Sequence, residues 1–383
     1  MPRMPVAGTS SCRCDSEEPH PKAQAVYIAR LDGSGLRNLQ PFSLRPSLLS
    51  VLAGDNGSGK SSLLEALHLL ATGRSFRSNR ADGAIQHGLA ELTLFAVGRE
   101  PGGREHRYGY RKTRNEGPEI RINGESVSLG EIAAALPVRF IGPGSEELLE
   151  GEPAIRRGFL DWILFHVEHN YLTLWRRANR ALAQRNALLK QRAPEAALKT
   201  WTRELADASV RIAELRQSAL TDLEAELAPL LTRFSFMETI ALQYVRTPPP
   251  EGDTDWRGLE DRERELGYSL FGFQRDDLRI RVPGGMARDI LSRGQRKALV
   301  YALLLAEATL VCRKTGKISV LLLDDICSEL DKHNAAQVLS LVLDTGMQAF
   351  ISVLDPADLN DLLPATTERA TFHVERGVIH SAG

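Results

Sequence analysis

The sequence predicts an α/β fold with a helical lobe inserted into it. Three observations support this prediction. A glycine-rich loop near the start of the chain lies between an apolar run and a helical pattern. A second pair of helical and apolar segments near the end contains two adjacent aspartates, and a long helical stretch poor in glycine separates the two regions. With 383 residues, the chain can form two cores or one large domain with an insertion.

The glycine-rich loop matches the motif G-x-x-x-x-G-K-[ST] at every fixed position. Its residues are Gly54, Asp55, Asn56, Gly57, Ser58, Gly59, Lys60 and Ser61. The apolar run 48–53 predicts a buried strand before it, and residues 62–70 predict a helix that ends near Gly73. Glycines allow backbone amides to surround a phosphate, and a helix N-terminus adds partial positive charge. We therefore expect the loop and Ser62 to bind a nucleoside triphosphate, with Lys60 also catalytic and Ser61 holding Mg²⁺.

The second apolar strand, predicted over residues 318–323, ends in Asp324 and Asp325. Open α/β sheets bind ligands at the carboxyl ends of their strands, so these carboxylates are expected beside the phosphate loop. Asp324 is the predicted Mg²⁺ ligand. Asp325 is the predicted catalytic residue that orients or deprotonates the attacking water.

A helix is predicted to begin within Leu291–Lys297, a stretch called here the signature segment, and to stop near Gly316. Ser292 and Gln295 have the spacing of a capping box, so one interpretation is helix capping alone. The other is an anion site, because a serine hydroxyl and the Gly294 amide at a helix start suit a γ-phosphate. The acidic strand that follows favours the second interpretation.

Residues 156–229 predict the helical lobe. In its last helix the apolar side chains fall three and four residues apart, which is typical of a seam with a partner helix, expected at 171–190. Residues 156–216 contain twelve Lys and Arg against six acidic residues. We expect DNA phosphates to contact Arg176, Arg177 and Arg180 there, and Arg74 and Arg77 in the basic loop 73–80. The alternative for each is an ordinary solvated surface.

The predicted organisation is a disordered extension at 1–24, a first ATPase part at 25–140, a helical lobe at 141–269 and a second ATPase part at 270–383. Residues 1–24 have no secretory-signal pattern and represent either a real extension or an early start codon. Cys12, Cys14, Cys312 and Cys327 form no C-x-x-C pair, which favours reduced thiols in a cytosolic protein. No apolar run approaches the length of about 20 residues that a bilayer requires, so no membrane partner is expected.

Phosphate loop, signature segment, acidic strand end and then Ser328-Glu329-Leu330-Asp331 follow one another in an order that resembles the ABC and SMC class of ATPases. The resemblance implies an ABC/SMC-type P-loop ATPase head with an inserted helical lobe. It also implies an ATP-dependent homodimer in which Ser292, Gly294, Gln295 and Asp331 of one copy bind the nucleotide held by the other.

Within that class, the chain from about Val26 to its end is similar to the RecF family of bacterial recombination-mediator ATPases. The similarity lies in the segments 73–78, 156–162, 184–189, 272–278, 291–297 and 323–331. It implies ATP-dependent binding to gapped duplex DNA at junctions of single and double strands. It further implies work with RecO and RecR to help load RecA during gap repair and the SOS response, in the cytoplasm and near the nucleoid. The same resemblance places Arg37 near the nucleotide.

Three departures from the wider class affect the mechanism. Asp325 stands where a glutamate is usual, so we expect slow hydrolysis that acts as a timer. Residues 348–355 offer no histidine as a γ-phosphate sensor, and Gly144 stands where relatives often have an acid. His166 and His169 lack the partners of a metal site, so His166 is expected to be a packing residue.

Three other functions use similar motifs. A transporter ATPase subunit would have a shorter insertion than residues 61–291. An SMC-like linker would need long heptad arms. An ATP-gated binding module with negligible turnover differs only in its hydrolysis rate.

Overall fold

The structure is a computed structural model that describes residues 26–78, 81–100, 102–234, 240–249 and 253–382. The predicted extension at 1–24, with Cys12 and Cys14, lies outside the described residues. Cys312 and Cys327 are both free thiols.

Strands and helices alternate at both ends of the chain and helices dominate its middle. The strands are β1 Tyr27–Ser34, β2 Phe42–Leu44, β3 Leu49–Ala53, β4 Glu91–Arg99, β5 Glu105–Thr113, β6 Glu119–Ile122, β7 Glu125–Ser126, β8 Val138–Ile141, β9 Ala241–Val245, β10 Asp277–Val282, β11 Gly285–Met286, β12 Val320–Leu323, β13 Gln348–Val353, β14 Ala370–Glu375 and β15 Val378–Ala382. The helices are α1 Lys60–Thr72, α2 Leu129–Ala135, α3 Glu147–Glu150, α4 Pro153–Val167, α5 Tyr171–Lys190, α6 Glu195–Leu231, α7 Asp253–Leu266, α8 Ala287–Ile290, α9 Arg293–Thr315, α10 Ile326–Glu329 and α11 Lys332–Asp344.

The central sheet has the strand order β15-β14-β3-β13-β12-β8, and all its pairs except β14–β15 are parallel. Every residue of β3, β12 and β13 is buried, as expected for strands covered on both faces. Alternate side chains contribute to two apolar cores. Leu52, Leu322 and Phe350 join α1, whereas Val51 and Leu323 join α9 and α11 on the other face. This topology brings the carboxyl ends of β3 and β12 to one edge, separated by β13 alone.

A second, antiparallel sheet in the order β2-β1-β4-β5-β6-β7 packs on the α1 side. The buried Gln348 side chain of β13 joins the two sheets. Its Oε1 accepts from the Ile28 amide at 2.7 Å, and its Nε2 donates to the carbonyls of Ile28 and Ser47, both at 3.0 Å. A buried amide with these partners fixes the start of β1 against the parallel sheet.

The helical lobe consists of α4, α5 and α6, and α5 packs along α6 as the apolar spacing predicts. The seam residues Leu205, Ala208, Ile212, Leu223 and Leu227 are buried. Two buried arginines lie between the helices and were not expected from the sequence pattern. Arg185 donates to Thr202, Ser269 and Glu263, and Arg216 pairs with Asp161 and donates to the Phe273 carbonyl.

A three-stranded sheet, β11-β10-β9, lies beside the lobe and was not predicted as a sheet. Arg156 of α4 fastens β10 to the lobe through a paired contact with Asp277, at 2.8 and 3.2 Å. The core of α4 and α6 continues into that of α9 and the central sheet, so the domain boundaries proposed from sequence stay predictions. Within the described ranges, none of the helices has the length and apolarity needed to cross a bilayer.

Candidate nucleotide-binding site

The phosphate loop leads directly from β3 into α1, and its shape depends on glycine at two positions. Gly54 has φ 147°, and a Cβ there would lie 2.2 Å from the Val374 carbonyl oxygen. Gly59 has φ 126°, and a Cβ would lie 2.5 Å from the Leu39 side chain. Both φ values suit glycine alone, so the motif glycines are required by backbone conformation and by close packing.

The polar groups of the loop suit an anion. The Lys60 ammonium is buried and donates to the carbonyls of Gly54 at 2.6 Å and Asp55 at 3.0 Å, which holds it inside the loop. Helix α1 begins at Lys60 without a side-chain cap, so its first amides keep their capacity to bind a phosphate. The buried Ser58 hydroxyl has no hydrogen-bond partner among the described residues, which gives the loop a further donor.

Ser61 and Asp324, the predicted Mg²⁺ ligands, are in direct contact. The Ser61 hydroxyl donates to Asp324 Oδ1 at 2.9 Å, although 263 residues separate them. Asp324 is buried at the end of β12, and its amide donates to the Ile141 carbonyl of β8. A hydroxyl and a carboxylate oxygen beside a phosphate loop are the hard ligands that Mg²⁺ prefers. This pair therefore fits a magnesium ion.

Asp325 is the N-cap of α10 and has a left-handed backbone conformation, with φ 52°. Its amide donates to the Ser352 hydroxyl of β13 at 2.8 Å, and that hydroxyl donates to Asp324 Oδ1 at 2.6 Å. Burial, and then the neighbouring Asp324 carboxylate, raise the pKa of the Asp325 carboxyl. An acidic side chain with a raised pKa is suited to accept a proton. Ser352 was missed from the sequence because it belongs to a strand distant along the chain.

The signature segment forms the capping box expected from its spacing. Ser292 Oγ accepts from the Gln295 amide at 3.4 Å, and Gln295 Oε1 accepts from the Ser292 amide at 3.0 Å. Among the described residues, no hydrogen bond links Ser292, Gly294 or Gln295 to the phosphate loop of the same chain. Ser292 itself is exposed, so the start of this helix is accessible to another molecule.

Two ion pairs tie this segment to its neighbours in the chain, and Asp331 lies close to its glycine. Lys297 pairs with Glu329, the last residue of α10, and Arg296 pairs with Glu150 of α3 at 2.9 Å. A Cβ on Gly294 would lie 3.7 Å from Asp331, whose side chain caps α11. Glu150, which the sequence did not single out, therefore links the signature segment to α3.

Comparisons with known proteins agree with this geometry. The family model of the RecF/RecN/SMC N terminal domain matches residues 27–378. The DNA replication and repair protein RecF of Pseudomonas paraeruginosa is 40% identical over 364 residues, which cover 92% of this chain and 97% of that protein. The RecF protein of Stutzerimonas stutzeri is 38% identical with the same coverage.

The chain belongs to the RecF family. The RecF fold also matches in three dimensions. A solved structure of the recombination mediator protein RecF with ATP, in the RecFOR pathway, has a TM-score of 0.80 at 24% identity and covers 96% of this chain and 100% of its own. An Smc head bound to the C-winged helix domain of ScpA has a TM-score of 0.57 at 14% identity, over 93% and 97% of the two chains. The predicted ABC/SMC-type head with its inserted helices is confirmed as the fold.

In this RecF-family chain, Asn38 and not Arg37 makes the hydrogen bonds to the phosphate loop. Arg37 has φ 48° and pairs through two hydrogen bonds with the buried Glu65 of α1, at 2.7 and 2.9 Å. Asn38 donates instead to the carbonyls of Gly57 at 3.1 Å and Ser58 at 3.2 Å. Arg37 stays a predicted nucleotide ligand, and Asn38 is a supporting residue that sequence reasoning missed.

The five arginines predicted to bind DNA differ in their surroundings. The Arg77 guanidinium lies 3.5 Å from the Ser62 hydroxyl at the start of α1, so it borders the nucleotide site. Arg177 pairs with Glu204 of α6, including one contact of 2.8 Å. Arg74, Arg176 and Arg180 are exposed and have no ion pair in the described part of the chain. Helices α5 and α6 are called the arm below. Of the three predicted DNA-binding arginines on the arm, Arg176 and Arg180 have no ion pair among the described residues and can contact a partner.

His166 lies in an apolar setting. Its ring contacts Trp162 at a centroid distance of 4.5 Å and Phe165 at 5.0 Å. Burial lowers its pKa to about 3. The ring therefore stays neutral at physiological pH and packs as the sequence predicted.

Proposed function

We propose that two copies of this chain bind ATP between them, and that the ATP-bound pair holds DNA during recombinational repair. The contact between Ser61 and Asp324 carries the first part, because it assembles a phosphate loop and a Mg²⁺ ligand pair at one sheet edge. The exposed Ser292 supports the second copy's role, since among the described residues it makes no hydrogen bond to its own phosphate loop. The solved RecF relative with ATP supports ATP as the nucleotide.

In this proposal Lys60 and the loop amides neutralise the β- and γ-phosphates. Mg²⁺, held by Ser61 and Asp324, would supply further positive charge to the phosphate oxygens. Asp325 accepts a proton from the attacking water, and Ser352 fixes its backbone. The carboxylate of Asp325 reaches less far than a glutamate would, so hydrolysis is slow and limits how long the pair stays closed.

The biological role follows from the family. RecF relatives are DNA replication and repair proteins, and the solved relative belongs to the RecFOR pathway. We propose that this chain binds gapped duplex DNA at the junction of single and double strands, in the cytoplasm and at the nucleoid. RecO and RecR are the proposed partners, and RecA loading is the step that they assist. Exposed Arg176 and Arg180 on the arm suit contact with phosphates.

Sedimentation velocity tests the proposal directly. The chain is run alone, with ATP and Mg²⁺, and with ATP, Mg²⁺ and a gapped duplex. We expect a monomer, then a dimer, then a dimer that carries DNA. A chain that stays monomeric in all three runs, or a dimer that ignores ATP, would disprove the composite site.

A further inference from the structure

The outer face of the antiparallel sheet contains a concave groove of about 430 Å³. The side chains that define it are Arg30, Arg45, Phe95, Arg99, Glu105 and Arg107. None of these belongs to the nucleotide site or to the helical arm described above. The groove is therefore a separate feature of the surface.

Strand β4 explains how an aromatic ring comes to face solvent there. Leu92, Leu94 and Ala96 point inward and are buried, whereas Phe95 points outward and is 37% exposed. The residue paired with Phe95 on β5 is Gly109, which has no side chain to cover the ring. A ring exposed in this way leaves one aromatic face available for stacking with a partner.

The charges around Phe95 do not cancel. Arg30 pairs with Asp32 at 2.9 Å, and Arg99 pairs with Glu105 at 2.8 Å. Arg45 and Arg107 are exposed and have no ion pair with any described residue. Two positive charges thus remain unpaired beside the exposed ring, and this excess favours an anionic partner.

We propose that this groove binds single-stranded DNA, with a base stacked on Phe95 and neighbouring phosphates held by Arg45 and Arg107. A single strand offers both a free base face and phosphates, whereas a duplex keeps its bases stacked inside. The proposal deepens the proposed function, on which it rests. It assigns the unpaired strand of a gapped duplex to the sheet face, while Arg176 and Arg180 on the arm remain for the paired part.

The first test replaces the ring. Binding of the full chain to an oligothymidine of about 15 nucleotides and to a duplex of about the same length is measured by fluorescence anisotropy with ATP. For Phe95→Ala we expect single-strand affinity to fall about tenfold, as for loss of one stacked base, and duplex affinity to stay unchanged. Phe95→Tyr keeps the ring and should bind like the parent. Equal losses for both DNA forms would contradict base stacking.

The second test reverses the free charges. Arg45→Glu with Arg107→Glu should weaken single-strand binding and lower the salt slope by about 1.4, the share of two phosphate contacts. The matched control is Arg279→Glu with Arg281→Glu, because these arginines are also exposed on a strand, β10, and have no ion pair among the described residues. An equal loss of single-strand affinity in the control would show that net charge alone causes the effect. That result would contradict DNA binding in the groove.

The ATP-induced dimer separates this inference from the function beneath it. Parent protein that binds neither DNA form would refute both. Parent protein that dimerises and binds DNA, with all groove variants indistinguishable from it, would refute the groove alone.

Discussion

The two halves of the nucleotide site differ in how they are held. The phosphate-loop half is satisfied within one chain, where Lys60 contacts loop carbonyls and Ser61 contacts Asp324. The signature half has an exposed Ser292 whose bonds are local to its own helix start. The comparison shows that one half is a complete pocket and the other is a surface. In the proposed dimer, this surface would contact the nucleotide held by the second molecule.

The largest effect is expected from removing the positive charge of Lys60 in the phosphate loop. Lys60→Ala should weaken ATP binding roughly a hundredfold, because two charge-assisted phosphate contacts are worth about 3 kcal/mol. Titration with a fluorescent ATP analogue measures this, and circular dichroism checks that the variant is folded. Normal ATP affinity in this variant would show that the phosphate loop does not bind the nucleotide.

The second effect separates the two halves. Ser292→Arg should still bind ATP but lose the ATP-induced dimer, since a long charged side chain then occupies the surface that must close. Light scattering with and without ATP reports the mass. Ser128→Arg is a matched control, because Ser128 forms the same capping box with Glu131 on α2. A dimer in the Ser292 variant, or its loss in the control as well, would count against the composite site.

The third effect concerns turnover in the closed pair. Asp325→Asn should lower the hydrolysis rate about a hundredfold, the typical loss of a general base, with ATP affinity kept. In the parent, the acidic limb of the rate should lie above the ordinary aspartate pKa of 3.8, because burial and Asp324 raise the pKa of Asp325. Phosphate release measured across pH tests both statements. An unchanged acidic limb in the Asn variant would assign that limb to another group.

The same shift affects stability. Since the native state keeps the Asp325 proton to higher pH than the unfolded chain does, raising the pH through this window lowers the free energy of unfolding. Asp325→Asn has no carboxyl group to ionise, so its free energy of unfolding does not fall in this pH window. Its melting temperature should exceed the parent's at neutral pH and approach it in acid.

The smallest effect is expected on the arm. Arg176→Gln and Arg180→Gln should each lower the salt slope of duplex DNA binding by about 0.9, because each charge is free to contact a phosphate. Arg177→Gln is the internal control, since Glu204 already neutralises that guanidinium. Equal salt slopes for all three variants and the parent would show that these arginines do not contact DNA phosphates.

Much of this site could be predicted from sequence because its motifs are continuous. The loop 54–61, the strand before Asp324 and the capping box at Ser292 are local patterns with local causes. Asn38 and Ser352 could not be found that way, because each meets its partner only after the sheet forms. The exposed Phe95 was also missed, since it lies in a strand that reads as ordinary alternation until Gly109 is placed opposite it.

The short helix α10 has a consequence for timing. Its N-cap is Asp325 and its last residue is Glu329, which pairs with Lys297 at the end of the signature segment. In the proposed dimer, a backbone shift at Asp325 would therefore reach the surface of the signature segment that contacts the neighbour's ATP. In such an arrangement the two ATP sites would be coupled. Hydrolysis at one site would weaken the contact of the signature segment with the nucleotide at the other.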